Sequence, residues 1–290
     1  MIEWYWLVLA SSVLMAVATI IEKYALKAEH ATQFSAAFSW IIALVSLVFI
    51  PYAIFNISMF QWFLLVVGSI LSAATYLITA RVYKHGSISI ATSVYSALPL
   101  LFIVILAYIF LGEYLSLIQY AALAGIIVAT YLLLFKGGAK LRNDFDGGNK
   151  YKYMMVINAV IVAVSTIIGK YQLVNINFLA YLIITQIFMA IEFAIFISVK
   201  YNGVKEIVQT TKTYKYPLIT IVLLTIGYRL TYYFALSSPT LPVSIAAPLR
   251  NTLFTIMTVL VGGMMFKEKG MVWKVGMSVV MVALALILTF

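Results

Sequence analysis

The stretch AVATIIEKYAL at residues 16–26 returns as AVSTIIGKYQL at residues 163–173, with eight of eleven positions identical. The offset is 147 residues in a chain of 290, so the second half looks like a copy of the first. Two unrelated apolar helices share scattered Ile, Val and Ala, but they rarely place Thr, Lys and Tyr in register. A duplication of this kind in a hydrophobic chain indicates a membrane protein made of two fused halves.

The composition excludes a water-soluble domain. Hydrophobic residues make up 64% of the chain and charged residues only 10%, and the mean hydropathy is +1.07. A soluble domain keeps roughly a quarter of its residues charged, so this chain has lipid as its solvent. The absence of cysteine excludes disulfides, thiol catalysis and cysteine metal sites. We predict neither a metal site nor a cofactor.

Ten segments are long and apolar enough to span a bilayer, which takes about 20 residues of helix. They are residues 4–22, 33–55, 60–81, 88–111, 115–135, 152–172, 177–199, 216–236, 241–266 and 271–290. We therefore predict an all-α membrane protein with a five-helix repeat at 1–136, a polar linker at 137–151 and a second five-helix repeat at 152–290. Because five is odd, the second repeat enters the membrane inverted.

The distribution of Lys and Arg predicts the orientation. Sixteen of these residues lie in or beside the odd-numbered loops, whereas Lys170 alone lies on the opposite face. We place the odd loops in the cytoplasm and both termini outside, in a prokaryotic plasma membrane. The net charge of +10 is then a topology signal that faces anionic lipid. No folded basic domain is present to bind nucleic acid.

Two inverted five-helix halves in about 290 residues resemble the drug/metabolite transporter superfamily, specifically its EamA-type members. The fourth segment carries Pro99 and closes in the turn Gly112-Glu113, as is common in this family. The ninth segment repeats the arrangement with Pro248 and closes in Lys267-Glu268. Lys23, near the end of the first segment, matches a lysine common in the superfamily. Both glutamates are expected to cap the helix that follows the turn.

The resemblance implies a central cavity lined by helices 1, 3, 4, 6, 8 and 9, and a secondary active or facilitative transporter that works by alternating access. We expect export of small polar metabolites, amino acids or related organic acids, with a multidrug or quaternary-amine exporter as the alternative. Small multidrug members carry a proton-binding glutamate in helix 1. Met15 and its repeat partner Val162 stand at that position, so proton coupling through it does not transfer.

Arg250 and Asn251 follow Pro248 inside the ninth predicted span. An unpaired arginine at the bilayer centre costs roughly 2.5–3.5 kcal/mol on insertion scales, so its side chain should face protein or a water-filled cavity. One interpretation is an anchor for a carboxylate or phosphate group of the substrate. The other is a structural ion pair with Glu192.

Further polar side chains at repeat-related positions complete the candidate substrate site: Tyr76, Thr79, Tyr95, Ser96, Tyr228, Arg229 and Tyr232. Tyr228 and Tyr232 are four residues apart and share one helical face. Tyrosines in membrane proteins often form interfacial belts, but these lie well inside their spans. We therefore predict that they line the cavity.

Five residues are candidates for coupling or gating. Lys23 and Lys170 end the repeated motif on opposite membrane faces, and Thr19 and Thr166 lie one turn further in. Snorkelling to the interface explains Lys23, whereas Lys170 works against the charge bias and suggests gating or pairing. Glu192 is either a proton-coupling carboxylate or, by our preference, a counter-ion for Arg229 or Arg250.

Other function classes find no support in the residues. No Asp lies within a predicted span and both histidines lie outside the span cores, so nothing favours intramembrane catalysis. The phosphate-binding pattern GxxxxGK[ST] is absent, which argues against direct ATP coupling. A non-transporting scaffold or receptor stays open. The expected partners are a small-molecule substrate, membrane lipid and, if transport is coupled, protons. A fused inverted pair is complete as one chain, so we expect a monomer.

Overall fold

The computed structural model describes residues 4–27, 29–85, 88–135, 149–200, 203–267 and 271–287, and in these ranges the chain is helical without strands. The helices are α1 (Trp4–Leu26), α2 (Ala31–Ser46), α3 (Met59–His85), α4 (Ile88–Leu111), α5 (Leu117–Phe135), α6 (Asn149–Asn175), α7 (Phe178–Lys200), α8 (Val204–Thr213), α9 (Lys215–Leu236), α10 (Val243–Met257), α11 (Gly263–Met265) and α12 (Met271–Ile287). A 3₁₀ segment, Leu47–Tyr52, extends α2, and a π-helical turn, Thr258–Gly262, joins α10 to α11.

Eight helical stretches in the described part of the chain are long and apolar enough to cross a membrane. They coincide with the first four predicted spans and with the sixth to ninth. The fifth and tenth predicted spans are the helices α5 and α12, whose described apolar lengths are shorter. The chain is therefore an all-helical integral membrane protein, and ten membrane crossings remain a prediction. Most of the predicted linker, residues 137–148, lies outside the described residues.

Local sequence explains where several helices begin. Ser58 and Gln61 form a reciprocal capping box at the start of α3: the Ser58 N–H donates to the Gln61 side chain (2.8 Å) and the Gln61 N–H donates to the Ser58 hydroxyl (3.3 Å). Ser116 and Gln119 repeat this pattern at α5, with distances of 3.0 and 3.3 Å. The Asn177 side chain accepts from the first N–H groups of α7.

Six helices surround the centre of the molecule. Helix α1 packs against α9 and α10, and α6 packs against α3 and α4. Gly227 permits the close approach of α1 to α9, because a Cβ atom there would lie 3.2 Å from a methyl group of Leu14. Outside this group, α2 packs on α7 and α5 packs on α12.

Helix α8 was not predicted, because its ten residues are too polar and too few to suggest a span. It lies in the basic segment between α7 and α9, where the sequence suggested only a loop. Its apolar face is buried through Ile207, and the Gln33 amide of α2 donates to the Glu206 carboxylate (2.8 Å). Glu206 in the first turn and Lys212 in the last also suit the helix dipole.

Candidate functional site

A cavity of about 190 Å³ lies at the centre of the helix bundle. Side chains of α1, α3, α4, α6, α7, α9 and α10 line it, and most of them are polar or aromatic. Polar side chains are costly inside a membrane protein unless they face the bundle interior or a water-filled space. The concentration of hydroxyl and charged groups here marks this cavity as the candidate site.

The repeated motif supplies the same face of α1 and α6 to the cavity. On α1 the lining positions are Met15, Ala18, Thr19 and Glu22, which follow the helical spacing of three and four residues. On α6 the lining positions include the four repeat partners, Val162, Ser165, Thr166 and Gly169. Both threonines predicted from the motif therefore lie in the lining.

Seven tyrosines form much of the wall: Tyr76, Tyr83, Tyr95, Tyr181, Tyr228, Tyr232 and Tyr233. The ring of Tyr76 stacks on Phe38 with centroids 4.5 Å apart, and Tyr181 meets Tyr233 edge-on at 5.1 Å. The sequence did not single out Tyr83, Tyr181 and Tyr233 as site residues. Tyr233 adjoins the predicted pair on α9, but the contribution of α7 through Tyr181 has no signal in the sequence.

Arg250 lines the cavity and is held by stacking. Its guanidinium carbon lies 3.9 Å from the centroid of the Tyr232 ring. One terminal nitrogen contacts the Asn251 side-chain oxygen at 3.4 Å, while the buried Nε has no hydrogen-bond partner among the described residues. Within the described part of the chain, no carboxylate pairs with this arginine. The guanidinium therefore keeps hydrogen-bonding capacity for a bound molecule.

Arg229 lines the same cavity among phenol groups. Its guanidinium lies near the side chains of Tyr228, Tyr233 and Tyr181. No hydrogen bond or ion pair joins it to a carboxylate in the described residues. Two arginines therefore face one small cavity, and neither forms a hydrogen bond or ion pair with a carboxylate of the described residues. An anionic group of a ligand would complete this arrangement.

The cavity wall also contains four of the other residues predicted for the substrate site: Tyr76, Thr79, Tyr95 and Tyr228. The Thr79 hydroxyl accepts from the Asn158 amide at 3.2 Å. Ten of the residues singled out from the sequence thus meet in one place, drawn from both halves of the chain.

Residues 2–135 match the EamA-like transporter family. The resemblance to this family and its superfamily is confirmed over those residues. The apolar helices indicate an integral membrane protein, and the family that residues 2–135 match is a family of transporters. No curated protein matches the sequence.

A solved structure described only as the crystal structure of a protein has the same fold. The two superpose with a TM-score of 0.67 at 14% sequence identity, over 97% of this chain and 96% of the other. The fold likeness therefore extends beyond the part that matches the EamA-like family and includes the second half.

Two residues predicted for the substrate site do not line the cavity but lie behind its wall. Asn251 and Ser96 are buried and do not line the cavity, and the Asn251 amide donates to the Ser96 backbone carbonyl at 3.1 Å. This bond ties α10 to α4. The position of Asn251 next to Arg250 makes it a support for that side chain.

Glu192 also lies away from the cavity lining. Its carboxylate accepts from the Ser69 hydroxyl of α3 at 2.6 Å, and its second oxygen is buried without a hydrogen-bond partner in the described residues. The ion pair with Arg229 or Arg250 that we preferred is not formed in this structure. The reason is the rotation of α7, which turns Glu192 toward α3.

Lys23 and Lys170 have equivalent positions in the two halves. The Lys23 ammonium donates to the backbone carbonyl of Tyr83, in the last turn of α3. The Lys170 ammonium donates to the carbonyls of Leu236 (3.0 Å) and Ser238 (2.8 Å), at the end of α9. Each lysine therefore caps the third long helix of its own half. Of the two, Lys170 also lines the cavity.

Glu113 caps a helix, but not the next one. Its carboxylate accepts from the N–H groups of Val243 and Ser244, both at 2.9 Å, and from the Ser244 hydroxyl at 2.6 Å. These groups begin α10, in the other half of the chain, whereas α5 is capped by Ser116. Glu268, the repeat partner of Glu113, lies outside the described residues.

Glu22 is a charged lining residue that was not predicted from the sequence. The first predicted span ended at residue 22, and no role was predicted for this side chain. Helix α1 continues to Leu26, and Glu22 is buried and faces the cavity. The signal was present in the repeated motif, where Glu22 is matched by Gly169.

Proposed function

We propose that this protein is a secondary active or facilitative transporter that exports small polar metabolites, amino acids or related organic acids, by alternating access around the central cavity. The observation that carries the substrate class is Arg250. Its guanidinium is fixed on the Tyr232 ring, faces the cavity and lacks a carboxylate partner in the described part of the chain. Arg229 adds a second positive charge to the same wall.

The size and wall of the cavity support a small cargo with some apolar or ring surface. About 190 Å³ is below the 300–1,000 Å³ of sites for drug-sized ligands. The tyrosine rings supply aromatic surface, and the hydroxyl groups of Ser72, Ser165 and Thr225 supply hydrogen bonds. Such a wall suits an organic acid or amino acid better than an inorganic ion.

The pairing of helices supports an inverted repeat and a rocking mechanism. The repeat exchanges α1 with α6, α3 with α9, and α4 with α10. Accordingly, the contact between α1 and α9 corresponds to the contact between α6 and α3. In the same way, the contact between α1 and α10 corresponds to the contact between α6 and α4. The central cavity lies between these repeat-related pairs, where two halves that rock alternately would expose it to either face.

The alternative is a multidrug or quaternary-amine exporter. It is favoured by Glu22, a carboxylate in an aromatic wall, since rings and a carboxylate together can bind an organic cation. The cavity nevertheless carries Arg229, Arg250 and Lys170 against this one acidic group of the described lining. The excess of positive charge favours a cargo with an acidic group.

Flux through purified protein in liposomes separates the two functions. The panel contains radiolabelled amino acids, organic acids and cationic dyes, with empty liposomes as the control. We expect flux of amino acids or organic acids that Arg250→Ala abolishes while the variant stays folded. Transport of the dyes alone would overturn the proposed substrate class. The direction of transport is tested with membrane vesicles of known orientation, where export appears as uptake into inside-out vesicles.

A further inference from the structure

Glu22 is a buried acid that no hydrogen bond or ion pair in the described residues joins to a basic side chain. Its side chain is 7% exposed and lines the cavity, and its Oε1 atom has no hydrogen-bond partner there. Its polar neighbours in the lining include the Tyr76 hydroxyl, which carries no compensating charge. The adjacent Lys23 donates to the end of α3 and lies outside the cavity lining. A buried carboxylate in this position is expensive unless a positive group joins it.

The acid is present on only one side of the internal repeat. The repeat partner of Glu22 on α6 is Gly169, which lines the cavity as well. Glycine leaves room for the Tyr181 hydroxyl, which would lie 3.0 Å from a Cβ atom at this position. At the neighbouring positions the two halves match closely, as Thr19 and Thr166 do. The carboxylate is thus a local departure from the similarity of the two repeats. Such a departure is expected of a group that recognises the substrate.

The basic residues are also asymmetric. Arg229 and Arg250 both come from the second half, and their repeat partners are Leu77 and Tyr95. Tyr76 and Tyr95 line the same cavity as Glu22, Arg229 and Arg250. The acid and the arginines therefore share one cavity with these tyrosines, and no hydrogen bond or ion pair in the described residues joins the acid to the arginines.

We propose that Glu22 binds the ammonium group of a zwitterionic cargo whose acidic group is held by Arg250. This inference rests on the proposed transport function and narrows its substrate class to molecules that carry both an amine and an acid. The protein then supplies one partner for each charge of the cargo. A cargo with only the acid leaves Glu22 buried and unpaired, and a cargo with only the amine leaves the arginines unpaired.

Three probes with the same ring and chain length test this assignment: L-phenylalanine, 3-phenylpropionate, which lacks the amine, and phenethylamine, which lacks the acid. Equilibrium binding to the purified full-length protein is measured for the wild type, Glu22→Gln and Glu22→Asp. We expect Glu22→Gln to weaken L-phenylalanine binding about tenfold or more and to leave 3-phenylpropionate unchanged or tighter. Glu22→Asp should restore part of the loss.

The matched control is Glu192→Gln, which neutralises a second carboxylate inside a predicted span, where the side chain is partly buried and does not line the cavity. We expect this variant to bind all three probes as the wild type does. Retained binding of 3-phenylpropionate by Glu22→Gln also shows that this variant is folded.

Two results would overturn the assignment of Glu22: equal binding of L-phenylalanine by the wild type and Glu22→Gln, or an equal loss of L-phenylalanine and 3-phenylpropionate in a protein that elutes as a single folded species. The failure of the transport function itself looks different. In that case wild-type protein binds none of the three probes and moves none of them across the liposome membrane.

Discussion

The guanidinium of Arg250 lies over the ring of Tyr232, with 3.9 Å between its central carbon and the ring centroid. The two residues come from α10 and α9, so the contact fixes the charge relative to both helices. Stacking uses the face of the guanidinium and leaves its edge for hydrogen bonds in the guanidinium plane, and the buried Nε has no hydrogen-bond partner in the described residues. That geometry is suited to bidentate recognition of a carboxylate.

The stack predicts that charge alone is insufficient at position 250. Arg250→Lys keeps the positive charge but loses both the planar fork and the contact with the ring. We expect this variant to bind acidic probes about tenfold more weakly than the wild type, and Arg250→Gln to bind them more weakly still. Equilibrium binding of 3-phenylpropionate and liposome flux are the two measurements. Wild-type affinity in Arg250→Lys would show that the planar fork is not required.

Tyr232 offers a matched pair of variants. Its hydroxyl is buried without a hydrogen-bond partner in the described residues, so Tyr232→Phe keeps everything that the stack requires. We expect Tyr232→Phe to match the wild type in binding, and Tyr232→Leu to lose several-fold in affinity because Arg250 is no longer held. Equal behaviour of the two variants would show that the ring does not position the arginine.

From the hydrogen bonds of Lys170 we predict an effect on stability that can be measured separately from transport. Lys170→Met removes the charge-assisted bonds to the carbonyls of Leu236 and Ser238 and leaves the end of α9 uncapped. We expect a loss of about 1.5–3 kcal/mol, seen as a lower unfolding temperature in detergent. Lys215→Met, at an exposed position, is the control and should change stability by no more than about 0.5 kcal/mol. A Lys170→Met protein as stable as the control would contradict the capping role.

The repeated motif by itself predicts much of the site, because internal duplication preserves which face of a helix points inward. Met15, Thr19 and their partners Val162 and Thr166 all lie in the cavity lining for this reason. The tyrosines and arginines of α9 and α10 follow from the same logic, since buried polar groups in a membrane protein need an interior to face.

The remaining contacts depend on helix rotation, which hydropathy does not record. Glu192 lies inside a predicted span, yet whether it meets an arginine or Ser69 is decided by how α7 turns against α3. Glu22 was not predicted as a site residue because the hydropathy falls at Glu22-Lys23 and the predicted span ended there. The helix in fact continues to Leu26. The contact of Glu113 with the start of α10 joins residues that are far apart in the sequence, and no pattern in the sequence predicts it.

Glu113 predicts how the two halves are joined at the start of α10. Glu113→Ala removes the acceptor of two backbone N–H groups and one hydroxyl, and should destabilise the protein by about 1–2 kcal/mol. Ser244→Ala removes only the hydroxyl bond and keeps both backbone bonds, so we expect a smaller effect. Thermal unfolding of both variants is the measurement. An equal loss of stability in the two variants would show that the hydroxyl bond, and not the bonds to the backbone N–H groups of α10, accounts for the stabilisation by Glu113.

The charge bias predicts a topology that can be read directly. If the basic loops face the cytoplasm, the segment between α5 and α6 is internal and residue 290 is external. A reporter that is active only outside the cytoplasm should therefore work when fused after Phe290 and fail when fused after Lys140. Lys170 then lies near the outer face, where it caps α9. An inactive reporter after Phe290 would mean that the orientation is reversed or that the chain has one crossing fewer. The fusion after Lys140 separates the two cases: its reporter is active if the orientation is reversed and stays inactive if the missing crossing lies in the second half.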